Sequence, residues 1–515
     1  MRPETHDVDL LLVNAPGKRH VYQALADDLV AYEPPIWAGL IAEHCRRRQY
    51  SVDILDAEAL RLTCHETAAQ IIARRPRLTA FVVYGQQPSA STQCMPAAGQ
   101  TARLLKAEAP DLKTLFLGTH PSALPKRTLM EEAADFVCEG EGPGTLTLLL
   151  DALKAHSTDF GRIGGLWYWQ DGEVASTPRL ANFTGLDAAL PGMAWDLLPM
   201  DRYRAHNWHC WDHIHARQPY ASIYTSFGCP YRCTFCCINA PFGGHGIRYF
   251  SPESIIGEID RLVTEYGVKN LKIADEMFVL NQQHVLGLCD LIIERGYDLN
   301  IWAYARVDTV RDKFLEKLKR AGFNWLGIGI ESGSKFVRDG VEKGRFNDEA
   351  IARIVAGIRS AGIYVGANYI FGLPDDTFDS MQATLDLAIA LNTEWANFYS
   401  AMAYPGSALH RDAAARGVML PENPGGPGWI GYSQHAYETL PLPTEGVPAG
   451  AVLAFRDEAF QTYFRSDRYL TMMRARFGED VVAHLRQMTS HTLARKYAQP
   501  VSTVDVDAGS ARRTA

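Results

Sequence analysis

Four cysteines fall within nine residues, Cys229, Cys233, Cys236 and Cys237, in the run Ser-Phe-Gly-Cys-Pro-Tyr-Arg-Cys-Thr-Phe-Cys-Cys of residues 226–237. Thiolates are soft ligands that suit zinc or an iron–sulfur cluster. A structural zinc closes its shell with four ligands, often as two Cys-x2-Cys pairs in separate segments. No second pair exists here, and Cys237 adjoins Cys236, which makes joint chelation of one ion awkward. Three thiolates on a four-iron cluster leave one iron open for a ligand. The spacing favours iron–sulfur and leaves zinc as its rival.

Other polar segments follow in order. Residues 274–278 carry Asp275 and Glu276, carboxylates that suit an ammonium group. Residues 304–308 carry Arg306, whose guanidinium can clamp a carboxylate bidentately; a salt bridge with Asp308 is the competing role. Residues 329–334 hold Glu331 and Ser332, and residues 368–374 hold Tyr369. Upstream, residues 206–213 are dense in imidazole and indole groups. Metal binding by His209, Cys210 and His213 is weighed there against a pocket lid or interdomain contact, and the lid or contact is preferred. Tyr404 in residues 403–407 is expected at the substrate or cofactor. Tyr432 in residues 429–435 is expected to cap the site, with an ordinary surface loop as the competing reading.

These segments need elements to hold them. Apolar runs at residues 9–14, 51–55, 79–84, 114–117 and 135–138 alternate with helical periodicity, which predicts a parallel, doubly wound sheet buried on both faces. Its ligand would lie beyond the carboxyl ends of the strands. Those ends carry Pro16, Gly85-Gln86, Gly118-Thr-His120-Pro121 and Glu139-Gly140-Glu141. A hairpin is expected around Asp171-Gly172. Strand-like runs at residues 221–226, 270–273, 299–305, 325–330, 365–371 and 395–401 then alternate with five helical stretches, the first opening on Ser251-Pro252. Six βα units in succession predict a partial barrel with its chemistry at the strands' C-terminal ends. The cysteine run follows the first of these strands.

Composition bounds the setting. At 515 residues the chain is long enough for two or three domains, and 47% hydrophobic with 21% charged residues is globular. A net charge of -8 argues against nucleic acid as the main partner. No apolar run approaches the ~18 residues of a membrane span, and the charged start, residues 1–9, lacks the apolar core of a secretory signal. A cytoplasmic location is expected. Ten cysteines are too few for a disulfide scaffold, and the six scattered ones read as small buried hydrophobes.

The Cys-x3-Cys-x2-Cys spacing, Phe235 before the third cysteine and the position after a first barrel strand resemble the signature of the radical S-adenosylmethionine superfamily. The resemblance implies that Cys229, Cys233 and Cys236 hold a 4Fe–4S cluster whose open iron is chelated by the amino and carboxylate groups of S-adenosylmethionine. In that family an electron from the cluster cleaves a carbon–sulfur bond and yields the 5′-deoxyadenosyl radical. It also implies cofactor contacts from Phe235, Asp275, Glu276 and Arg306, from Glu331 and Ser332 toward ribose or the amino group, and from Tyr369 toward adenine.

The doubly wound domain ahead of the barrel is similar to the cobalamin-binding group of that superfamily, and the resemblance covers about residues 8–420. Cobalamin contacts then fall to Pro16, Gly85, Gln86, Gly118, His120, Pro121, Glu139, Gly140 and Glu141. The domain lacks an Asp-x-His-x-x-Gly motif, which leaves the lower axial ligand of cobalt open. His120 is either a pocket residue or a structural strand-end histidine.

The two cofactors together imply radical methylation of an unactivated carbon, or phosphorus, of a small-molecule or lipid substrate. A second S-adenosylmethionine would then remethylate cob(I)alamin. The alternatives are a non-methylating oxidase or cyclase and, third, a cofactor-based sensor. A flavodoxin or ferredoxin is the expected electron donor. The expected fold class is α/β: a Rossmann-like cobalamin-binding domain (1–150), a connector (151–205), a partial (β/α)6 TIM-type barrel (206–420), a mostly helical capping region (421–500) and a disordered tail (501–515).

Overall fold

Leu10, Leu11, Leu12 and Val13 are consecutive and all fully buried, a pattern a strand achieves inside a sheet covered on both faces. Leu10 and Leu12 join one hydrophobic core, and Leu11 and Val13 join another. The computed structural model that shows this describes residues 6–344 and 346–499, so the tail at 501–515 lies outside the described residues. In the first sheet, β1 (Val8–Asn14), β2 (Val52–Asp56), β3 (Pro76–Val83), β4 (Lys113–Gly118) and β5 (Phe136–Cys138) are mutually parallel.

The hairpin at Asp171-Gly172 forms as expected, with φ of 52° and 83° at its two turn residues, the left-handed pair a two-residue turn needs. Its strands, β6 (Leu166–Gln170) and β7 (Glu173–Ser176), pair antiparallel onto β5. The sheet is therefore mixed, in the order β2-β1-β3-β4-β5-β6-β7, where a wholly parallel one was expected. A two-residue turn returns a strand beside its predecessor and can only give an antiparallel pair. Strand order reverses between β1 and β3, and such a switch point opens a crevice for a ligand.

The second sheet starts with β8 (Tyr220–Ile223). A short antiparallel ribbon of β9 (Ser226–Phe227) and β10 (Arg248–Tyr249) follows, and the cysteine run lies in the loop between its two strands. Then come β11 (Asn270–Ile273), β12 (Asn300–Arg306), β13 (Phe323–Glu331), β14 (Tyr364–Phe371) and β15 (Trp395–Ser400). All six main strands are parallel and neighbour one another in chain order, the arrangement of a partial barrel. The intervening helices carry clear stops and starts. Ser251 Oγ accepts from the Ser254 amide at 3.1 Å to cap Pro252–Tyr266, which ends at Gly267 in the left-handed conformation.

Two features fix the barrel in place. Trp37, on the helix Ile36–Arg46, stacks on Tyr84 at 4.4 Å and on Phe227 at 4.8 Å, so one core runs from the first sheet into the barrel. The short helical turn Trp208–His213 closes the N-terminal end of the barrel, with Trp208 edge-on to Trp302 and Trp325 at 5.1 and 5.2 Å. Of the lid or interdomain contact expected there, the contact forms: the segment is a floor, with Trp211 against Phe477 and Asn207 against His484 of the C-terminal helices. His209 is buried, its Nε2 donates to the Asn300 carbonyl at 3.0 Å, and burial lowers its pKa to about 3. Cys210 Sγ donates to Asn270 Oδ1 at 3.4 Å. Among the described residues, no three His, Cys, Asp or Glu side chains are arranged to hold a single metal ion, these included.

Helices Ala449–Arg465, Asp467–Phe477 and Glu479–Ser490 cover β15 and the floor, where Phe477 packs on Trp211. No helix among the described residues is long and apolar enough to cross a membrane.

Candidate active site

The cysteine loop is closed on itself. The Cys229 amide donates to Asn239 Oδ1 at 3.2 Å, and Asn239 Nδ2 returns a bond to the Cys229 carbonyl at 3.0 Å. Its middle is strung between two neighbours: the Thr234 amide donates to the Val341 carbonyl at 3.1 Å, and its carbonyl accepts from the Leu409 amide at 2.8 Å. Phe235 fills the gap between the two apolar clusters beside these contacts. Held this way, Cys229, Cys233 and Cys236 line one cavity of about 240 Å³ together with Phe235, Glu276, Arg306 and Glu331. Seven of the residues expected at the cluster and its cofactor thus meet.

The electrostatics of this cavity follow from its enclosure. Burial raises the Cys229 thiol to about 11, while Cys236 is exposed at the cavity. A thiol raised in this way stays protonated until a cationic centre draws it into ligation. Four-iron clusters carry their ligands on separate irons, so three thiols spread around a cavity suit one. Arg306 Nη1 lies 3.3 Å from Cys233 Sγ, and its guanidinium stacks 3.8 Å from the Tyr231 ring. Its salt bridge with Asp308 is also present, bidentate at 2.9 and 3.0 Å. Burial works against the Arg306 charge, but the Asp308 carboxylate outweighs it and holds the pKa above the usual value.

Glu331 stands at a φ of 69° at the end of β13 and meets Lys343 Nζ at 2.5 Å. Gly329 leaves the space for this pair, since a side chain there would run into both charged groups. Burial raises the Glu276 carboxyl to about 7, with Lys272 opposing the shift and Asp275 adding to it.

Three residues expected at the cofactor are engaged elsewhere. Asp275 turns away and accepts from the Thr225 amide, Thr225 Oγ1 and Ser226 Oγ, each at 2.6 Å, which ties β11 to the start of the cysteine loop. Ser332 is fully buried against Thr384 Oγ1 at 3.2 Å. Tyr369 stacks on Phe398 at 5.5 Å behind the sheet. Strand side chains alternate, so Asn368 and Ile370 face the cavity in its place.

A second cavity of about 520 Å³ lies deeper in the barrel, between its inner face, the first domain and the C-terminal helices. The two cavities share Tyr304, Tyr399, Tyr404 and Gln434. Tyr404 therefore lies at the junction. Tyr432 does not: its hydroxyl donates to Glu422 Oε2 at 2.6 Å in a cluster with His410, and it lines none of the cavities described. Lys343, Tyr304, Tyr399, Lys272 and Glu33 escaped sequence reasoning, whereas Asn368 opens the segment expected to line the adenine pocket. Only the strand alternation around Arg306 could have flagged one of them, Tyr304.

The crevice at the β1–β3 switch point is a third cavity, of about 90 Å³, lined by Ala15, Gly17, Val82, Gly85, Gln86 and Gln93 among others. It borders the second cavity through Tyr22, Glu33, Gln86, Ala90 and Gln93. Gly85 and Gln86 thus sit at the ligand crevice, and Pro16 lies in the loop that forms its rim. The β4 and β5 ends do not. Gly118 packs on the Val83 carbonyl. His120 turns to Thr92 Oγ1 at 3.2 Å and edge-on to Trp429 at 4.4 Å, and burial lowers its pKa to about 3. Pro121 is buried beside it. Glu139 accepts from Trp167 Nε1 at 2.7 Å, Gly140 exchanges hydrogen bonds with Ser122, and Glu141 pairs with Arg248 at 2.7 Å. Of these six, His120, Glu139 and Glu141 join the first domain to its neighbours and Gly118 and Gly140 pack within it, while the crevice opens at the switch point.

A family description of the Radical SAM superfamily matches residues 223–388, and one of the B12 binding domain matches residues 22–150. An uncharacterized methyltransferase of Pyrococcus horikoshii is 30% identical over 391 residues, 76% of this chain and 80% of that protein. The chain belongs to the cobalamin-binding radical S-adenosylmethionine enzymes. An anaerobic magnesium-protoporphyrin IX monomethyl ester cyclase of Rubrivivax gelatinosus is 24% identical over 76% of this chain and 68% of its own length. The solved structure of OxsB, a cobalamin-dependent S-adenosylmethionine radical enzyme, shares the fold with a TM-score of 0.67 at 17% identity, over 94% of this chain and 71% of that one. The cofactors of this radical S-adenosylmethionine enzyme are a 4Fe–4S cluster, S-adenosylmethionine and cobalamin. The donor sets fit them: thiols for iron, paired carboxylates and cations for an amino acid group, and for a corrinoid a first-domain crevice that adjoins the much larger deep chamber.

Proposed function

We propose that this chain is a radical methyltransferase acting on an unactivated carbon, or phosphorus, of a small-molecule or lipid substrate. The observation that carries the reading is continuity. The thiol-lined cavity opens at Tyr304, Tyr399 and Tyr404 into the deep chamber, and the chamber borders the β1–β3 crevice. One continuous space would thus serve a cluster, a substrate and a corrinoid.

Cys229, Cys233 and Cys236 would ligate the cluster. Glu276, Glu331, Arg306 and Lys343 would hold the amino acid end of S-adenosylmethionine, and the β1–β3 crevice with the adjoining side of the deep chamber would hold cobalamin. Bound there, these groups supply a hydrogen-abstracting carbon radical and a transferable methyl group. The protein supplies the rest. Arg306 fixes the Cys233 sulfur through its N–H donor and is itself locked by Asp308 and Tyr231. The Lys343–Glu331 pair keeps both charges compensated until a zwitterion replaces their contact. The tyrosine collar and the floor at Trp208 close the inner side of this space, where water would otherwise quench a radical.

The Pyrococcus relative, named a methyltransferase, supports this reading, and the Rubrivivax cyclase supports a non-methylating outcome as the second reading. A flavodoxin or ferredoxin would deliver electrons. The ten free cysteines suit a reducing, cytoplasmic setting.

The test is anaerobic incubation of the reconstituted holoenzyme with a reductant and methyl-labelled S-adenosylmethionine. Methyl transfer requires S-adenosylhomocysteine together with 5′-deoxyadenosine, with label moving to cobalamin. Formation of 5′-deoxyadenosine alone defeats methyl transfer in favour of the second reading.

A further inference from the structure

Glu33 stands in a wall that two spaces share. With Tyr22, Gln86, Ala90 and Gln93 it lines both the deep chamber and the β1–β3 crevice. Its Oε2 accepts from Lys272 Nζ on β11 at 2.8 Å and from Ser222 Oγ on β8 at 3.3 Å, and the glutamate and lysine side chains are 5% and 3% exposed. Its Oε1 is buried and has no hydrogen-bond partner. His206 Nε2 lies 3.7 Å from it, beyond hydrogen-bond reach, and burial pushes that imidazole well below its ordinary pKa, so it brings no charge. Of the buried side-chain polar atoms left unpaired among the described residues, this is the one whose residue borders both spaces.

The position is firmly built. The Tyr32 amide and carbonyl pair with the Arg204 carbonyl and amide at 3.0 and 2.9 Å, and Pro34 and Pro35 stiffen the chain just after Glu33. Lys272 offsets the carboxylate's charge through Oε2 and leaves the lone pairs of Oε1 free. A carboxylate only accepts, so the missing partner is a donor. Buried acceptors are ordinarily satisfied, and one left open beside a cavity points to a ligand that completes it.

A corrin ring is fringed with primary carboxamide arms. Each arm ends in an NH2 group that can donate to a carboxylate and a carbonyl that a glutamine amide can answer, and Gln86 and Gln93 stand in the same wall. The crevice is too small to hold the ring by itself, so a corrinoid that occupies both it and the adjoining chamber crosses the wall at Glu33. Because Oε1 is recessed, a long propionamide arm reaches it better than a short acetamide one.

We propose that Glu33 selects the corrinoid: its Oε1 accepts from the amide N–H of one propionamide arm of cobalamin, while Lys272 holds its other oxygen. An arm that ended in a carboxylate would set two like charges together in a buried wall, which is costly. The site then separates a fully amidated corrinoid from one whose amidation is incomplete. The proposal rests on placing the corrinoid across the crevice and the adjoining side of the chamber.

Equilibrium dialysis of the cluster-reconstituted, cobalamin-free protein, read by corrin absorbance, tests it. Aquocobalamin is compared with its b-, d- and e-monocarboxylic acids, in each of which one propionamide is hydrolysed. At least one acid is expected to bind about tenfold or more weakly than the parent, a factor equivalent to about 1.4 kcal/mol. Glu33→Gln keeps the shape and, with its oxygen on Lys272, turns an amide N–H toward the arm. In that variant the penalty for the same acid should vanish or invert. Glu33→Gln/Lys272→Met, which leaves no buried charge unpaired, should lose the penalty too, and it serves where the single variant does not fold. A merely structural Glu33 would weaken all four corrinoids together with their ratios unchanged, and that result overturns the proposal. So do equal affinities of the native protein for all four, the outcome of a water molecule standing in place of an arm. No turnover is involved: native protein that binds aquocobalamin but transfers no methyl label defeats the methyl-transfer reading alone, whereas native protein that binds no aquocobalamin defeats the placement of the corrinoid and this proposal with it.

Discussion

Replacing Lys343 by methionine isolates the role of the charge pair beneath the cluster. Lys343 Nζ and Glu331 Oε1 are 2.5 Å apart, and each side chain is 8% exposed. At an effective dielectric of about 20, that separation corresponds to a gross attraction of about 7 kcal/mol. Most of it offsets desolvation, so the net value is smaller. Removing one partner leaves a buried carboxylate uncompensated, and the expected loss is about 3–5 kcal/mol. Methionine keeps much of the lysine's volume, so packing contributes little to the change.

The Glu331→Gln/Lys343→Met double variant removes both charges and should regain most of the stability, a coupling that a double-mutant cycle isolates. Cofactor-free protein should be unfolded in urea and followed by tryptophan fluorescence, because bound cofactors break two-state behaviour. The double variant should still bind S-adenosylmethionine poorly in equilibrium dialysis, since its site has lost both charges. A single variant within about 0.5 kcal/mol of the native protein would refute the electrostatic account. So would a double variant no more stable than the single one.

Further outcomes follow from the same structure. Cys229→Ala, Cys233→Ala and Cys236→Ala should each lose iron and sulfide after reconstitution, and Cys237→Ala should keep them; full iron content in any of the first three removes that residue from the ligand set. His120 and His209 have folded-state pKa values of about 3 against about 6.5 unfolded. As pH falls below about 6.5 the unfolded chain takes up these protons first, so stability falls by about 1.4 kcal/mol per pH unit for each histidine. His209→Asn should remove one such contribution from the slope of unfolding free energy against pH, and an unchanged slope contradicts the assignment. Gly118 has a φ of 141°, and a Cβ there would lie 2.0 Å from the Val83 carbonyl oxygen. Gly118→Ala should cost more than about 3 kcal/mol in thermal or chemical unfolding, and a fully stable variant would mean that β3 and β4 separate easily.

Local signals were read well from the sequence. The cysteine spacing, the Asp171-Gly172 turn and the Ser251-Pro252 helix start each encode a structure within a few residues, and each formed. Long apolar strands separated by amphipathic helices were also legible, because burial on both faces leaves a composition that no surface segment has. What failed was the orientation of single side chains next to a correct motif. Asp275 and Glu276 are adjacent, yet one binds backbone and hydroxyl groups of the loop while the other faces the cavity. Tyr369 and Asn368 differ in the same way. At a strand end, a shift of one residue changes the face, and a motif without a register does not say which residue points in.

The first-domain contacts failed for a different reason. Glycine-rich turns follow β3, β4 and β5 alike, and the sequence does not say where strand order reverses. Only the topology, with β3 returning to the other side of β1, selects the crevice at Gly17, Gly85 and Gln86 and leaves Gly118 to Glu141 outside it. The deep chamber was the least legible feature of all. Glu33 comes from the first domain, Lys272 and Trp302 from adjacent barrel strands, Trp208 from the floor and Arg456 from a C-terminal helix. No window of sequence contains two of its opposed walls. Its walls, with the Lys272–Glu33 and Asp457–Arg495 pairs they contain, are assembled only by the fold, whereas the cysteine loop is one that a reader can find from spacing alone.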